Sequence, residues 1–346
     1  MGLAELLLHL ALVSAPPLYN PSSPDPASPQ LVALLQLRRE DLPHDLRGEV
    51  YPVALFKDGS FRDARTGGVH PLTGEVEKTL PVMNSALDSI RDFTVYDGAA
   101  PIGRFQVTAV ESAVYSCRAI QVGVGEMDLP ERYIRFGRLD PRVQTFAVSG
   151  PGLAYQYTLN YYLALSRPVS QPEFGWGWDQ AADPGAVGRL RDAIWAAGAE
   201  ALAEGGQGTT SGRPDPPRWS LRESFRIFDL DRDGRPEGMG VVEVVSAGET
   251  RERGTSPALP RVASAIVWAR DEGPARAPRI IAVLRQTDRA GREDVRRDLA
   301  EVMDLDGDGV AEIFYQVDGW EYHGFEIHAL AGDGLEIVFA GGGYGC

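Results

Sequence analysis

Two nine-residue segments narrow what this chain can become: DLDRDGRPE, Asp229 to Glu237, and DLDGDGVAE, Asp304 to Glu312. Each confines four carboxylates to one tight loop, where like charges repel unless a cation or another partner offsets them. The correspondence runs beyond the acids. SFRIFDLDRDGRPEGMGVVEVV aligns with LAEVMDLDGDGVAEIFYQVDGW at a constant offset of 75 residues. Ile227 and Val302 precede the loops, a β-branched stretch follows each, and later ASAIVWARDEG is similar to GFEIHALAGDG. Each unit therefore predicts an acidic loop feeding a small antiparallel sheet, and the two together predict one C-terminal β domain over residues 218–346.

The carboxylate spacing suits calcium, a hard cation that takes six to eight oxygen ligands and tolerates irregular geometry. Asp229, Asp231 and Asp233 offer side chains on alternate residues, Gly234 supplies the turn, the carbonyl of Arg235 can face inward, and Glu237 closes the loop. Asp304, Asp306, Asp308, Gly309, the carbonyl of Val310 and Glu312 repeat those roles. The alternative is a pair of acidic surface turns, because Asp and Gly favour turns in any case. In the first loop Arg232 and Arg235 could also neutralise part of the charge. A twelve-residue EF-hand requires an acid at its last position, and here those positions hold Gly240 and Tyr315.

The D-x-D-x-D-G-x-x-E pattern resembles the calcium loops of FG-GAP and integrin-α propeller repeats and of related VCBS-type bacterial repeat proteins. The resemblance is confined to the two loops and their flanking strands. It implies two structural calcium ions held by the acids named above. It does not imply a propeller, since two units are too few to close a ring of four or more blades.

Upstream, VYPVALFKDGSFRDA sets Val53, Leu55 and Phe61 around Asp58-Gly59, a strong hairpin signal. Alternating strand-type residues continue through FTVYDGAAPIGRFQVTAVESAVYSCRAIQVGVG. LVALLQLRREDLP, from Leu31, is compatible with one short helix ended by Pro43. The clearest helix is DPGAVGRLRDAIWAAGAEALAEGG, capped by Asp183, started by Pro184 and ended at Gly205-Gly206, with Leu190, Ile194, Ala197 and Ala201 on one face. The expected fold is thus a β-rich α+β protein. Residues 31–204 form an N-terminal unit ending in that helix, 205–217 form a linker, and the calcium-loop domain follows.

The first fifteen residues, MGLAELLLHLALVSA, read as an export leader ending in the small-x-small triplet Val13-Ser14-Ala15, or else as a buried N-terminal helix. Residues 16–30 read as a Pro/Ser-rich linker. Export implies a secreted or periplasmic location. No other apolar run approaches the length of a membrane-spanning helix. In that compartment Cys117 and Cys346 either pair as a disulfide or remain two thiols, and two cysteines alone do not make a structural zinc site.

A net charge of −15 repels a phosphate backbone, which excludes nucleic acid as a partner. No GxSxG elbow, P-loop, GxGxxG fingerprint or HExxH motif is present. His323 and His328 stand five residues apart, which on a strand sends them to opposite faces. Trp176 and Trp178 could form a stacking platform for a sugar or could pack a loop over the core. The sequence thus favours a non-enzymatic binding or structural module with a protein or carbohydrate ligand. The alternative is an extracellular polymer hydrolase using the Trp176/Trp178 loop.

Overall fold

The computed structural model describes residues 29–39, 46–64, 86–97, 100–115, 118–128, 145–150, 153–158, 161–169, 183–204, 216–220, 225–246, 261–287, 296–319 and 322–345. The segment expected to be a leader, most of both expected linkers, Trp176, Trp178, Cys117 and Cys346 lie outside the described residues.

The N-terminal strands are β1 (Gln30–Arg39), β2 (Leu46–Lys57), β3 (Ser60–Asp63), β4 (Asp92–Asp97), β5 (Ala100–Tyr115) and β6 (Arg118–Asp128). A separate hairpin, β7 (Thr145–Gly150) and β8 (Leu153–Thr158), precedes β9 (Tyr161–Leu165). Six of these strands close an antiparallel barrel in the order β1-β9-β4-β5-β6-β2, completed by pairing of β2 with β1. The Asp58-Gly59 turn forms as expected. Both residues adopt positive φ, 53° and 73°, and Lys57 pairs with Ser60, the twist that two-residue hairpins favour.

The run from Leu31 is a strand and not the short helix that its apolar residues suggested. Leu31, Ala33 and Leu35 join the barrel's inner cluster with Phe93, Val95, Phe105 and Val107. Val32 and Leu34 point the other way, into a second cluster. A strand buried on both faces loses the alternation that marks a half-buried one, and a short continuous apolar run is then indistinguishable from a buried helix by pattern.

The one α-helix among the described residues, α1 (Pro184–Glu204), begins where the sequence placed its cap: Asp183 accepts from the amides of Gly185 (3.2 Å) and Ala186 (3.1 Å). Beyond it come β10 (Arg218–Trp219), β11 (Arg226–Phe228), β12 (Glu237–Ser246), β13 (Arg261–Arg270) and β14 (Arg279–Thr287), which form one sheet. A second sheet is the meander β15 (Arg296–Met303), β16 (Glu312–Gly319), β17 (Tyr322–Ala331) and β18 (Gly334–Gly345). The fold is therefore β-rich α+β with antiparallel sheets.

Alternation along the strands stacks these parts in series. Leu190, Ile194 and Ala201 of α1 pack on Ala265, Val267 and Ala269 of the first sheet. That sheet's other face presents Met239, Val241, Ile266 and Trp268 to Ile313, Tyr315 and Val317 of the second sheet. The second sheet's far side sets Phe314, Phe325 and Ile327 against Val32, Leu34, Leu163 and Leu165 on the barrel wall. Between the sheets the fully buried Trp268 Nε1–H donates to the Tyr315 hydroxyl at 2.7 Å, so neither polar atom is stranded. The helix, grouped by sequence with the strands before it, thus packs on the sheet that follows the linker.

Helix α1 approaches its sheet closely at Gly198, where a Cβ would stand 2.6 Å from Val242 Cγ2. Gly188, exposed on the same helix, has no atom near such a position. The two glycines should respond oppositely to alanine in urea denaturation. Gly188→Ala raises stability by roughly 0.5–1 kcal/mol through helix propensity. Gly198→Ala lowers it by roughly 1–3 kcal/mol, because the stiff β-branched neighbour must give way.

Candidate metal centre

Both acidic loops join the first and second strands of a meander: Asp229–Pro236 leads from β11 to β12, and Asp304–Ala311 leads from β15 to β16. They fold alike. The fourth and sixth positions are left-handed in each, Arg232 (φ 57°) and Gly234 (80°) in the first, Gly307 (86°) and Gly309 (100°) in the second. Glycine marks the sixth position in both loops but the fourth only in the second, and Arg232 is not a residue that favours this region.

Side chains of the loops turn back on their own amides. Asp231 Oδ1 accepts from Asp233 N at 3.3 Å and Asp306 Oδ1 from Asp308 N at 2.9 Å. Asp233 Oδ1 accepts from Arg235 N at 2.8 Å and Asp308 Oδ1 from Val310 N at 2.7 Å. The ninth residue reaches back to the second: Glu237 Oε2 accepts from Leu230 N at 2.8 Å, and Glu312 Oε2 from Leu305 N at 2.6 Å. Leu230 and Leu305 are fully buried, each in a different interlayer core, and so anchor the loops. Their part is visible in the sequence only as one apolar residue between two acids.

Three carboxylates converge in each loop, their oxygens within 4.8 Å of one another: Asp229, Asp231 and Glu237 in the first, Asp304, Asp306 and Asp308 in the second. Of the eight acids proposed from sequence, six therefore come together in two groups. Asp233 stays outside its group, partly exposed and 3.8 Å from Arg235. Glu312 lies behind its group, buried, and close enough for the three aspartates to raise its pKa. The Arg235 and Val310 amides are bound by Asp233 and Asp308, which fixes the backbone at the positions expected to turn a carbonyl inward.

Burial dominates the electrostatics. It pushes Glu312 up to about 9, with the charges of Asp306, Asp304 and Asp308 adding to the shift. Asp306 is pushed to about 6 by burial and then by Asp308 and Asp304. Asp304 is also raised by burial, against hydrogen bonds from the amides of Gly307 (2.7 Å) and Gly309 (3.0 Å). In the first loop burial raises Glu237 to about 7, opposed by the Leu230 amide and Arg270. Asp229 is raised for the same reason, and its buried Oδ1 has no hydrogen-bond partner.

This donor set fits a hard cation. It consists of carboxylate oxygens on a tight loop whose backbone is already fixed by its own side chains, with no nitrogen or sulfur donor among them. A divalent ion there would reverse the unfavourable burial of charge that now drives the carboxylates toward protonation.

The loops also touch each other and the barrel. The Ala311 amide donates to Leu230 O at 2.7 Å. Arg232 Nη2 stands 3.7 Å from Asp304 Oδ2. Arg167, just beyond β9, donates from Nη2 to the Asp306 carbonyl at 3.5 Å. The second loop thus sits where the two sheets and the barrel meet.

The histidines behave as alternation requires. His323 pairs with Asp318 on the barrel side of the second sheet. His328 faces the first sheet, 2.9 Å from Glu326, whose other partner is a two-pronged contact from Arg297 at 2.7 and 2.9 Å. Burial alone would raise Glu326, but the hydrogen bonds from His328 and Arg297 outweigh it and hold the carboxyl at about 2. The two histidines share no site.

For an acid whose folded pKa lies above its unfolded value, the folded state keeps a proton that the unfolded state has lost, so stability falls as pH rises between the two values. Without metal, the chain should therefore lose stability from near pH 4 up to about 9, through Asp306, Glu237 and Glu312. Glu326 works in the opposite sense but only between about 2 and 4.5, at the foot of this window. Denaturant midpoints measured in chelator across that range should decline, and Glu312→Gln should flatten the upper part of the decline. Comparison of the chain with protein-family models, with curated proteins and with solved structures found no match, so the function of the loops is read from their own chemistry.

Proposed function

We propose that this chain is an exported calcium-binding protein whose metal is structural, serving a non-enzymatic module that binds a protein or carbohydrate ligand. The observation that carries this reading is the second loop. Asp304, Asp306 and Asp308 bring oxygens within 4.8 Å of one another, with the buried Glu312 behind them and no basic side chain bonded to it among the described residues. A site of this kind demands positive charge, and calcium supplies two units of it to several oxygens at once.

The position of the loop supports a stabilising part. Leu305 is packed between the second sheet and the barrel, Ala311 is bonded to the first loop, and Asp306 is touched by Arg167 from the barrel. An ion that closes this loop holds three layers in register. Binding only the folded state raises stability by mass action, about 2.7 kcal/mol at an ion concentration one hundred times the Kd. Export is consistent with this, since extracellular calcium keeps even weak sites filled. No described helix is long and apolar enough to cross a membrane.

Thermal melting of the chelator-treated protein, with and without millimolar calcium, tests the proposal. Calcium should raise Tm by about 3–4 °C, as a gain of roughly 2–3 kcal/mol implies for a chain of this size. Asp306→Ala should abolish the rise. An unchanged Tm in the wild type would reduce the loops to acidic turns.

A further inference from the structure

The two loops carry matching acids but meet different cations. Glu237 opens β12 and pairs across the sheet with Arg270, the last residue of β13. Arg270 Nε lies 2.5 Å from Glu237 Oε1, and its Nη2 lies 2.6 Å from Asp231 Oδ2. The side chain is only 10% exposed. A planar guanidinium is therefore inserted among the first loop's carboxylates and bridges two of the three that converge there. In the second sheet Ile313 pairs with His328, which puts the uncharged Ala329 across from Glu312. Arg232 and Arg167 approach that loop at Asp304 and at the Asp306 carbonyl, and neither is bonded to Glu312.

We infer that Arg270 is the resident cation of the first loop and takes the part that calcium takes in the second, so that the chain binds one ion and not two. The inference rests on the calcium reading of the second loop. An ion entering the first loop would have to break both contacts and leave a buried guanidinium without a partner, the costly half of separating a buried ion pair. The asymmetry also gives the loops different dependences. The first is closed by the chain itself, whereas the second waits on the ion concentration outside.

Calorimetric titration of the chelator-treated full chain with calcium chloride tests this by counting ions. The wild type should bind one, Asp306→Ala none, and Asp231→Ala still one. Arg270→Met, which removes the guanidinium while keeping much of its bulk, should bind two. Two ions in the wild type, with one lost in Asp231→Ala, would overturn the inference and leave the calcium reading intact. A folded Arg270→Met protein that still binds one would overturn it as well, because something other than Arg270 would then exclude the second ion. No binding by the wild type would overturn the calcium reading and this inference together. Should Arg270→Met not fold, the wild type and the two aspartate variants decide the question.

Discussion

A carboxylate buried at the first residue of a strand must be given positive charge or a proton. Glu237 and Glu312 both occupy that position, both are nearly sealed from solvent, and both hold the second amide of the loop that leads to them. Much of what is distinctive in the C-terminal half follows from how that demand is met. Where Arg270 meets it, the pKa of Glu237 is raised only to about 7; where no side chain does, Glu312 rises to about 9. The same nine-residue turn is thus a finished structure in one place and an unfinished one in the other.

The layers explain why the unfinished loop matters. Each sheet presents its glutamate-bearing face to the next layer, the first toward the second and the second toward the barrel. Leu230 and Leu305 carry each loop into the core it borders. A loop that opened at Asp304–Ala311 would release Leu305 from the barrel wall and Ala311 from Leu230. Loss of charge compensation there reaches the packing of three layers; the helix on the far side of the first sheet is held by its apolar stripe and by ion pairs from Arg189 to Asp271 and from Glu204 to Arg285.

What the sequence disclosed was mostly local. The acidic loops, the Asp58-Gly59 hairpin and the Asp183 cap each occupy a few consecutive residues whose chemistry admits few conformations. The β-rich class followed from many such segments. Barrel closure did not, because β1 pairs with β2 on one side and with β9, some 130 residues away, on the other, and local pattern carries no information about such partners. β1 itself was obscured by burial on both faces. The place of α1 is not local information either: its apolar stripe packs on a sheet whose strands follow residues 205–217.

The same division applies to the site. Aspartates on alternate residues were legible as a cation loop, but Arg270 lies 33 residues from Glu237 and is brought to it only by the β12–β13 register. Arg232 and Arg235, the basic residues within the loop, looked like its neutralising partners; Arg232 instead reaches Asp304 of the other loop, and Arg235 stays on the exposed rim. The most direct measurement of the account is a crystal structure grown in calcium, with anomalous differences recorded at long wavelength. The account requires one peak, among Asp304, Asp306 and Asp308, with Arg270 still bridging Asp231 and Glu237. A peak in the first loop with Arg270 displaced, or no peak in either loop, would contradict it.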